Sequence, residues 1–458
     1  MIELKKYTDK KTAVLGLGKA GQAAVEALRA SGAEVFVWDD KITNHENLGD
    51  DYNNWPWEEL SIVVASPGVP YKCAKMHPVL ALAQKHNVRI VGEVELLFEA
   101  CPEAFFVGIT GTNGKSTTTA LIGHILKNIE GEESTVQIGG NLGTPALALE
   151  MLGEGEVYVL EMSSYQLDLL SNSVFDIACL TNITPDHLDR HDGMAGYIAA
   201  KERIFAGQVA GEHIAVIAGD DEYCQKIAKK LPEDLVMEVH ADEVIKDDDK
   251  EFSLRNCLGL QGKHNWQNAQ IAAAACRALG LDLEDIYAAM QSFAGLPHRM
   301  ERVCDKNGIL YVNDSKATNA ESTVCALNTY DQNVYWIVGG LAKEGGITSL
   351  EKYFPQIKHA FLIGASAEEF AKTLEGKLAY TNCETLENAT RTATEMAKNS
   401  SDKAVILLSP AAASFDQWSG FEARGDAFRE LVSNYQGQFY QSLNLSFCNK
   451  TLLLSCST

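Results

Sequence analysis

Residues 104–119 read AFFVGITGTNGKSTTT. The apolar run Phe105-Phe106-Val107 has the composition of a buried strand. It enters a turn with glycine at 108, 111 and 114, and Lys115, Ser116 and three threonines then open a helix. Glycines let backbone N–H groups converge on a phosphate, the helix N-terminus adds partial positive charge, and Lys115 adds a full one. Ser116 is placed to hold a magnesium ion. The strict phosphate-loop pattern wants glycine five residues before Gly114, where this chain has Ile109. A strand-to-helix turn with a merely exposed lysine is the plain alternative, and GKST directly behind a strand argues against it. The expected ligand is a nucleoside triphosphate.

Outward from that loop the chain is long, and its 458 residues imply two to four domains. With 46% apolar and 22% charged residues it has ordinary globular composition. A net charge of −23 argues against non-specific nucleic-acid or membrane binding, while leaving room for anions held by local Lys, Arg and N–H groups. Eleven scattered cysteines with no CxxC pair suit a reducing cytoplasm better than a disulfide framework or a zinc site. No run reaches the ~20 apolar residues of a membrane span, and MIELKKYTDKK lacks a signal-peptide core. The expectation is a cytoplasmic protein with small-molecule partners, read as a monomer.

Before the loop, residues 12–38 read as strand, helix, strand. Gly16-Leu17-Gly18-Lys19-Ala20-Gly21 stands at the first turn, and Asp39 follows the second strand. This is the GxGxxG fingerprint in a βαβ setting, which serves either a nicotinamide dinucleotide or some other ligand. Residues 61–66 form another expected strand, with Ser66-Pro67-Gly68-Val69 at its carboxyl end, where open α/β sheets bind ligands. Beyond the loop, expected strands at 156–162, 176–181 and 213–218 alternate with helices. The pattern restarts near 298 with strands at 308–312, 334–338, 360–363 and 404–408. The expected fold is therefore α/β throughout, in three domains. These are a Rossmann-like domain (1–95), a central phosphate-loop domain with a mostly parallel sheet (96–297) and a second Rossmann-like domain (298–434). An atypical tail follows (435–458).

Several clusters fall at expected strand ends. Glu161-Met162-Ser163-Ser164 and Asn182-Ile183-Thr184-Pro185-Asp186-His187 share the edge of the phosphate loop, and Glu161 and His187 there suit a divalent metal bound with the nucleotide. Lys201, in YIAAKERIF, reads plainly as a surface lysine on a helix. Asn268 lies where GKHNWQN opens an Ala-rich helix, and LPHRME around Arg299 reads as a linker. Three polar turns follow at successive strand ends: Asn313-Asp314-Ser315-Lys316-Ala317-Thr318, Gly339-Gly340-Leu341-Ala342-Lys343 and Ser409–Asp416 with Ser414. They imply a ligand crevice.

As an ordered set, TGTNGKST, EMSS, NITPDHLDRH, YIAAKERIF, GKHNWQNAQIAAA, LPHRMERV, NDSKATN, GGLAK and LSPAAASFDQWSGFEARG resemble the Mur ligase family, the ATP-dependent amide-forming enzymes of peptidoglycan synthesis. The resemblance covers about residues 10–432. The first domain, with SPGVP and GEVEL, is similar to that of the D-glutamate-adding members, which bind a UDP-sugar there in place of a dinucleotide. The resemblance implies the substrates UDP-N-acetylmuramoyl-L-alanine, D-glutamate and ATP, with two Mg²⁺ ions. It implies that Gly111, Thr112, Asn113, Gly114, Lys115, Ser116 and Thr117, with Asn268, Arg299 and Asp314, bind ATP. Ser116, Glu161, His187 and a carbamylated Lys201 are implied to hold metal, with Lys115, His187 and Lys201 catalytic. Gly18, Asp39, Ser66 and Asn141 are implied at the UDP-sugar, and Lys316, Thr318, Lys343, Ser414 and Phe421 at D-glutamate. The alternatives are another amino-acid ligase of the superfamily, such as a folylpolyglutamate synthase, or a non-catalytic nucleotide-binding regulator. The GxGxxG domain speaks against the first, and intact Lys115, Glu161, His187 and Lys201 against the second.

Overall fold

The computed structural model describes residues 2–42, 51–71, 76–131, 135–247, 250–330, 332–343, 345–400 and 403–434. The expected tail, 435–458, lies outside the described residues. Two compact units divide between Phe293 and Ala294.

The first unit holds two parallel sheets. One is built from β1 (Lys11–Leu15), β2 (Glu34–Trp38), β3 (Leu60–Ala65) and β4 (Arg89–Val91) in the order β2-β1-β3-β4. It packs with α1 (Lys19–Ala30), α2 (Pro78–Lys85) and α3 (Glu93–Ala100). The first turn is tight: a Cβ on Gly21 would stand 1.8 Å from the Gly16 carbonyl oxygen, so only glycine lets α1 approach β1 this closely.

The other sheet contains β5 (Phe105–Thr110), β6 (Val136–Gly140), β7 (Val157–Glu161), β8 (Ile177–Leu180), β9 (Ile214–Ala218) and β10 (Val236–Val239), in the order β10-β9-β8-β5-β7-β6. Its helices are α4 (Lys115–Glu130), α5 (Ser164–Asp168), α6 (Met194–Glu202), α7 (Glu222–Ala228), α8 (Lys263–Ala278) and α9 (Leu283–Ser292). A two-stranded antiparallel ribbon, β11 (Val244–Lys246) with β12 (Glu251–Ser253), is attached. Strand β5 is covered on both faces. Phe106 packs among Leu96, Leu97 and Tyr158, while Val107 and Ile109 pack among Leu121, Ile125 and Ile271. That is why it reads as a continuous apolar run and not as an alternation.

The two sheets of this unit share a core, since Ala24 and Leu28 of α1 belong to the same buried cluster as Phe106 and Leu160. The expected boundary at residue 95 falls inside α3. There Glu95, with 1% of its side chain exposed, pairs with Arg89 at 2.6 Å. It also accepts hydrogen bonds from Ser171 N (3.0 Å), Ser171 Oγ (2.6 Å), Asn172 N (3.1 Å) and Ser173 Oγ (2.7 Å). Burial alone would raise its pKa, but these donors outweigh it and hold the carboxyl below the usual range. Glu95→Ala should therefore lower the unfolding free energy by ~3–5 kcal/mol, read as a fall in the urea midpoint at neutral pH. Because the folded pKa is depressed, the contribution is present at neutral pH and lost as pH falls through that value, so the deficit should shrink in acid.

The second unit is built on β13 (Glu301–Lys306), β14 (Ile309–Asn313), β15 (Val334–Gly339), β16 (Ile357–Ile363), β17 (Tyr380–Glu384) and β18 (Ala404–Leu408), in the order β13-β14-β18-β15-β16-β17. Only β13 runs antiparallel to its neighbour. The helices are α10 (Ala320–Leu327), α11 (Ala367–Leu374), α12 (Leu386–Lys398) and α13 (421–434). Trp336 and Val338 face one core and Tyr335 and Ile337 the other. Among the described residues no helix is long and apolar enough to cross a membrane.

Candidate active site

Thr112, Asn113, Gly114 and Lys115 pass from the carboxyl end of β5 to the first turn of α4. Gly114 has φ +84°, and a Cβ there would meet Asn268 Oδ1 at 2.3 Å, so this turn closes only with glycine. The loop is braced by the end of β8: Thr112 N donates to Asn182 O (2.8 Å), Asn113 N to Asn182 Oδ1 (2.9 Å), and Thr181 Oγ1 to Asn113 O (2.6 Å). Lys115 Nζ folds back onto the carbonyls of Gly111 (3.0 Å) and Thr112 (2.8 Å), and Ser116 is buried. Asn268, on α8, accepts from Thr118 Oγ1 at 3.3 Å, behind the loop.

Lys201 corrects the surface reading. It is 1% exposed, with Nζ 2.5 Å from the Gly111 carbonyl and 4.8 Å from the centre of the Tyr197 ring. Burial, reinforced by the positive charge of Lys115, pulls its pKa down to about 7, against the pull of Asp186 and Glu161. Glu161 ends β7 one strand from the loop and is 3% exposed. Its Oε1 accepts from Asn141 Nδ2 at 2.7 Å, while Oε2 is buried without a hydrogen-bond partner among the described residues. A buried carboxylate oxygen left open beside a phosphate-type loop is what a hard, oxygen-seeking cation takes up. His187 is half-exposed with φ +49°, 3.5 Å from Asp186. No hydrogen bond or ion pair among the described residues joins it to Glu161 or Lys201. Nor do those residues contain a group of three His, Cys, Asp or Glu side chains gathered for a metal.

Gly18, Asp39 and Ser66 line one cavity of about 660 Å³ at the carboxyl end of the first sheet, with Gly16, Lys19, Val69 and His77. Asp39 accepts from Leu17 N (2.6 Å) and Lys41 N (2.8 Å), and Ser66 Oγ donates to Gly16 O (2.7 Å). Asn141 does not line that cavity; it stands beside Glu161.

In the second unit Asp314 is buried at the end of β14, accepting from Ser409 Oγ (2.7 Å) and Met300 N (3.2 Å). Burial raises its pKa to about 7. Arg299 stands in the sequence between two residues of positive φ, His298 and Met300. Lys316 Nζ lies 3.8 Å from the Phe421 ring centre. The loops bearing Lys343 and Ser414 are tied by an antiparallel bridge between Leu341 and Ala413, with Lys343 exposed and Ser414 buried. Thr318 is half-buried, its N–H on the Lys316 carbonyl at 2.8 Å.

Residues 109–276 match the Mur ligase middle domain, and 298–412 the Mur ligase glutamate ligase domain. The UDP-N-acetylmuramoylalanine–D-glutamate ligase of Rhodospirillum rubrum is 45% identical over 95% of this chain and 96% of its own length. The chain belongs to the Mur ligase family. Ligases of the same name from Paramagnetospirillum magneticum (45%, 95% of this chain and 99% of that one) and Caulobacter vibrioides (42%, 94% and 98%) are similar to it across the same span. The Mur ligase fold is also seen in MurF of Acinetobacter baumannii (TM-score 0.57, 18% identity, 93% of this chain and 92% of that one). The UDP-N-acetylmuramate–alanine ligase of Thermotoga maritima gives TM-score 0.54, 19% identity, and covers 94% and 99%. Mur ligases depend on ATP and Mg²⁺.

Two Mur ligase residues escaped the sequence reading. Asn182 carries the brace of the phosphate loop. Arg424 is fully buried in the second unit, and among the described residues no carboxylate lies within ion-pair distance of it, although Asp416 is near enough to favour its charge. Its guanidinium donates to Ser315 Oγ (3.0 Å), Ser315 O (2.9 Å) and Ala412 O (3.1 Å), tying the ends of β14 and β18. Both lie within the quoted motifs, and Arg424 also falls at helical spacing from Phe428 and Val432.

Proposed function

We propose that this chain joins D-glutamate to UDP-N-acetylmuramoyl-L-alanine at the expense of ATP, a cytoplasmic step of peptidoglycan synthesis, working as a monomer. The observation that carries the reading is 42–45% identity, over nearly the whole chain, to ligases named for that reaction.

In this reading the substrate carboxylate attacks the γ-phosphorus of ATP, releasing ADP and leaving an acyl phosphate. The amine of D-glutamate then attacks the acyl carbon, and phosphate departs. The first step brings two anions together, and Lys115 with the N–H groups of Gly111–Thr117 offsets that repulsion. Mg²⁺, when bound, supplies Lewis-acid charge at the phosphoryl oxygens. Ser116, Glu161, His187 and Lys201 would hold two such ions. The open oxygen of Glu161 supports this, and so does a buried lysine whose lowered pKa leaves amine free to take up CO₂ as a carbamate. Asn268, Arg299 and Asp314 would hold the nucleoside. The cavity lined by Gly18, Asp39 and Ser66 would take the uridine diphosphate, with Asn141 near the reacting end. Lys316 and Lys343 would face the two carboxylates of D-glutamate, aided by Thr318, Ser414 and Phe421.

The test is phosphate release from ATP with Mg²⁺ and UDP-N-acetylmuramoyl-L-alanine, with D-glutamate present, absent or replaced by L-glutamate. Release that needs both the nucleotide sugar and D-glutamate is expected. Turnover with a different amino acid instead would overturn the assigned acceptor.

A further inference from the structure

We propose that His191 is a positioning residue for His187, acting through Ser164 and the ring of Tyr165. This rests on the reading of His187 as a metal ligand. His187 by itself is poorly fixed: half-exposed, on a left-handed backbone, with Asp186 as its ion-pair neighbour at 3.5 Å. Four residues on, His191 is 8% exposed and held from several sides. Its Nε2 is 2.9 Å from Ser164 Oγ, and its Nδ1 is 3.6 Å from Asp168 Oδ2. Its ring stacks on Tyr165 (centroids 5.4 Å apart, planes at 19°) and tilts against Tyr197 at 5.5 Å. A Cβ on Gly196 would meet the His191 carbonyl oxygen at 1.8 Å, so the start of α6, the helix that carries Lys201, rests directly on this residue.

Tyr165 is the shared surface. Its ring meets His187 at 5.2 Å, His191 at 5.4 Å and the Arg190 guanidinium at 5.2 Å. Arg190 also donates to the Val69 carbonyl, in the wall of the 660 Å³ cavity. The short segment that bears His187 is thus clamped onto α5 by His191 and packed against the ring of Tyr165. For packing alone a phenylalanine would serve at 191 without a buried polar ring. An imidazole with Nε2 hydrogen-bonded to Ser164 and Nδ1 facing the Asp168 carboxylate also fixes ring orientation, as in the outer sphere of a metal site. With the proton on Nδ1, facing Asp168, Nε2 accepts from the Ser164 hydroxyl.

The experiment measures Mn²⁺ binding by electron paramagnetic resonance, with a non-hydrolysable ATP analogue and no turnover, in His191→Phe, His191→Gln and His187→Ala. Melting temperatures and the imidazole NMR shift of His187 are recorded alongside. Expected are weaker Mn²⁺ binding in His191→Phe, by ~10-fold, and partial recovery in His191→Gln, whose amide oxygen can still accept from Ser164. The His187 resonance should broaden or move in the Phe variant. If His187→Ala weakens Mn²⁺ binding but His191→Phe leaves it and the His187 signal unchanged, the positioning role is overturned alone. If His187→Ala itself leaves Mn²⁺ binding unchanged, the metal-ligand reading falls and this proposal with it. Should His191→Phe not fold, Ser164→Ala removes the same hydrogen bond from the other side and is read by the same criteria.

Discussion

Replacing Lys201 by methionine should cut ligase turnover ~10³-fold or more, and yet raise the melting temperature of the metal-free protein. The two effects share one cause. An ammonium group buried to 1% exposure beside Lys115 is poorly solvated, so its proton leaves near pH 7 in the folded chain and near 10.5 in the unfolded one. Between those values the unfolded state binds more protons, so stability rises with pH. Well below pH 7 both states are protonated and the folded state carries the full penalty. Methionine removes that penalty while filling the same slot, but it gives up the bond to Gly111 O and the contact with Tyr197. A net gain of ~1–3 kcal/mol is expected near neutrality, fading toward pH ~10. Calorimetry across that range, in bicarbonate-free buffer, checks the sign. A variant that melts lower at neutral pH, or that still turns over at the parental rate, would overturn the account. If Lys201 serves the reaction, the trade is that of a functional group held at the expense of stability.

Much of the fold could be read from the chain because its central strands are buried on both faces. β5, β15 and β18 present uninterrupted apolar runs, and the turns behind them carry glycine and polar residues at fixed offsets. The strands left unread lie at sheet edges. β6 is Val-Gln-Ile-Gly-Gly, half-buried and ending in two glycines, while β10 buries none of its residues fully and β17 only Cys383. One covered face dictates too few apolar positions for such strands to stand out. β13 was hidden differently: Glu301–Lys306, five of its six residues half-buried, follows a stretch that reads as a linker.

At the site, the burial of Lys201 is legible from its position although its residue type points to the surface. Tyr197, Ala200, Ile204 and Phe205 are all buried, and Lys201 falls on that same stripe at helical spacing. The rule that lysine stays outside overrode the periodicity, and the periodicity was the better guide. Arg424 repeats the lesson, sharing the buried face of α13 with Phe428 and Val432. A charged residue at helical spacing on an apolar stripe is to be read as a buried group. What spacing could not supply was partnership across the chain: the support of the phosphate loop by Asn182, or of Glu161 by Asn141, twenty residues before it.

That last pair sets the second large effect. Glu161→Gln keeps the shape of the side chain and the acceptor for Asn141 Nδ2, and removes only the charge and the open lone pairs of Oε2. If Glu161 is there to hold a cation, the variant should lose turnover ~10³-fold and fail to bind Mn²⁺. Its metal-free stability should change by no more than ~1 kcal/mol, since the hydrogen bond survives. Asn141→Ala should act in the same direction but less, by ~10-fold in metal affinity, because it frees the carboxylate to turn without removing it. A purely structural Glu161 gives the reverse pattern, with metal binding intact and stability moved by the lost charge. Denaturant unfolding and a Mn²⁺ titration on the same two proteins therefore separate the readings without reference to catalysis. The buried open oxygen favours the first, because a carboxylate kept for structure alone would be expected to have both oxygens satisfied.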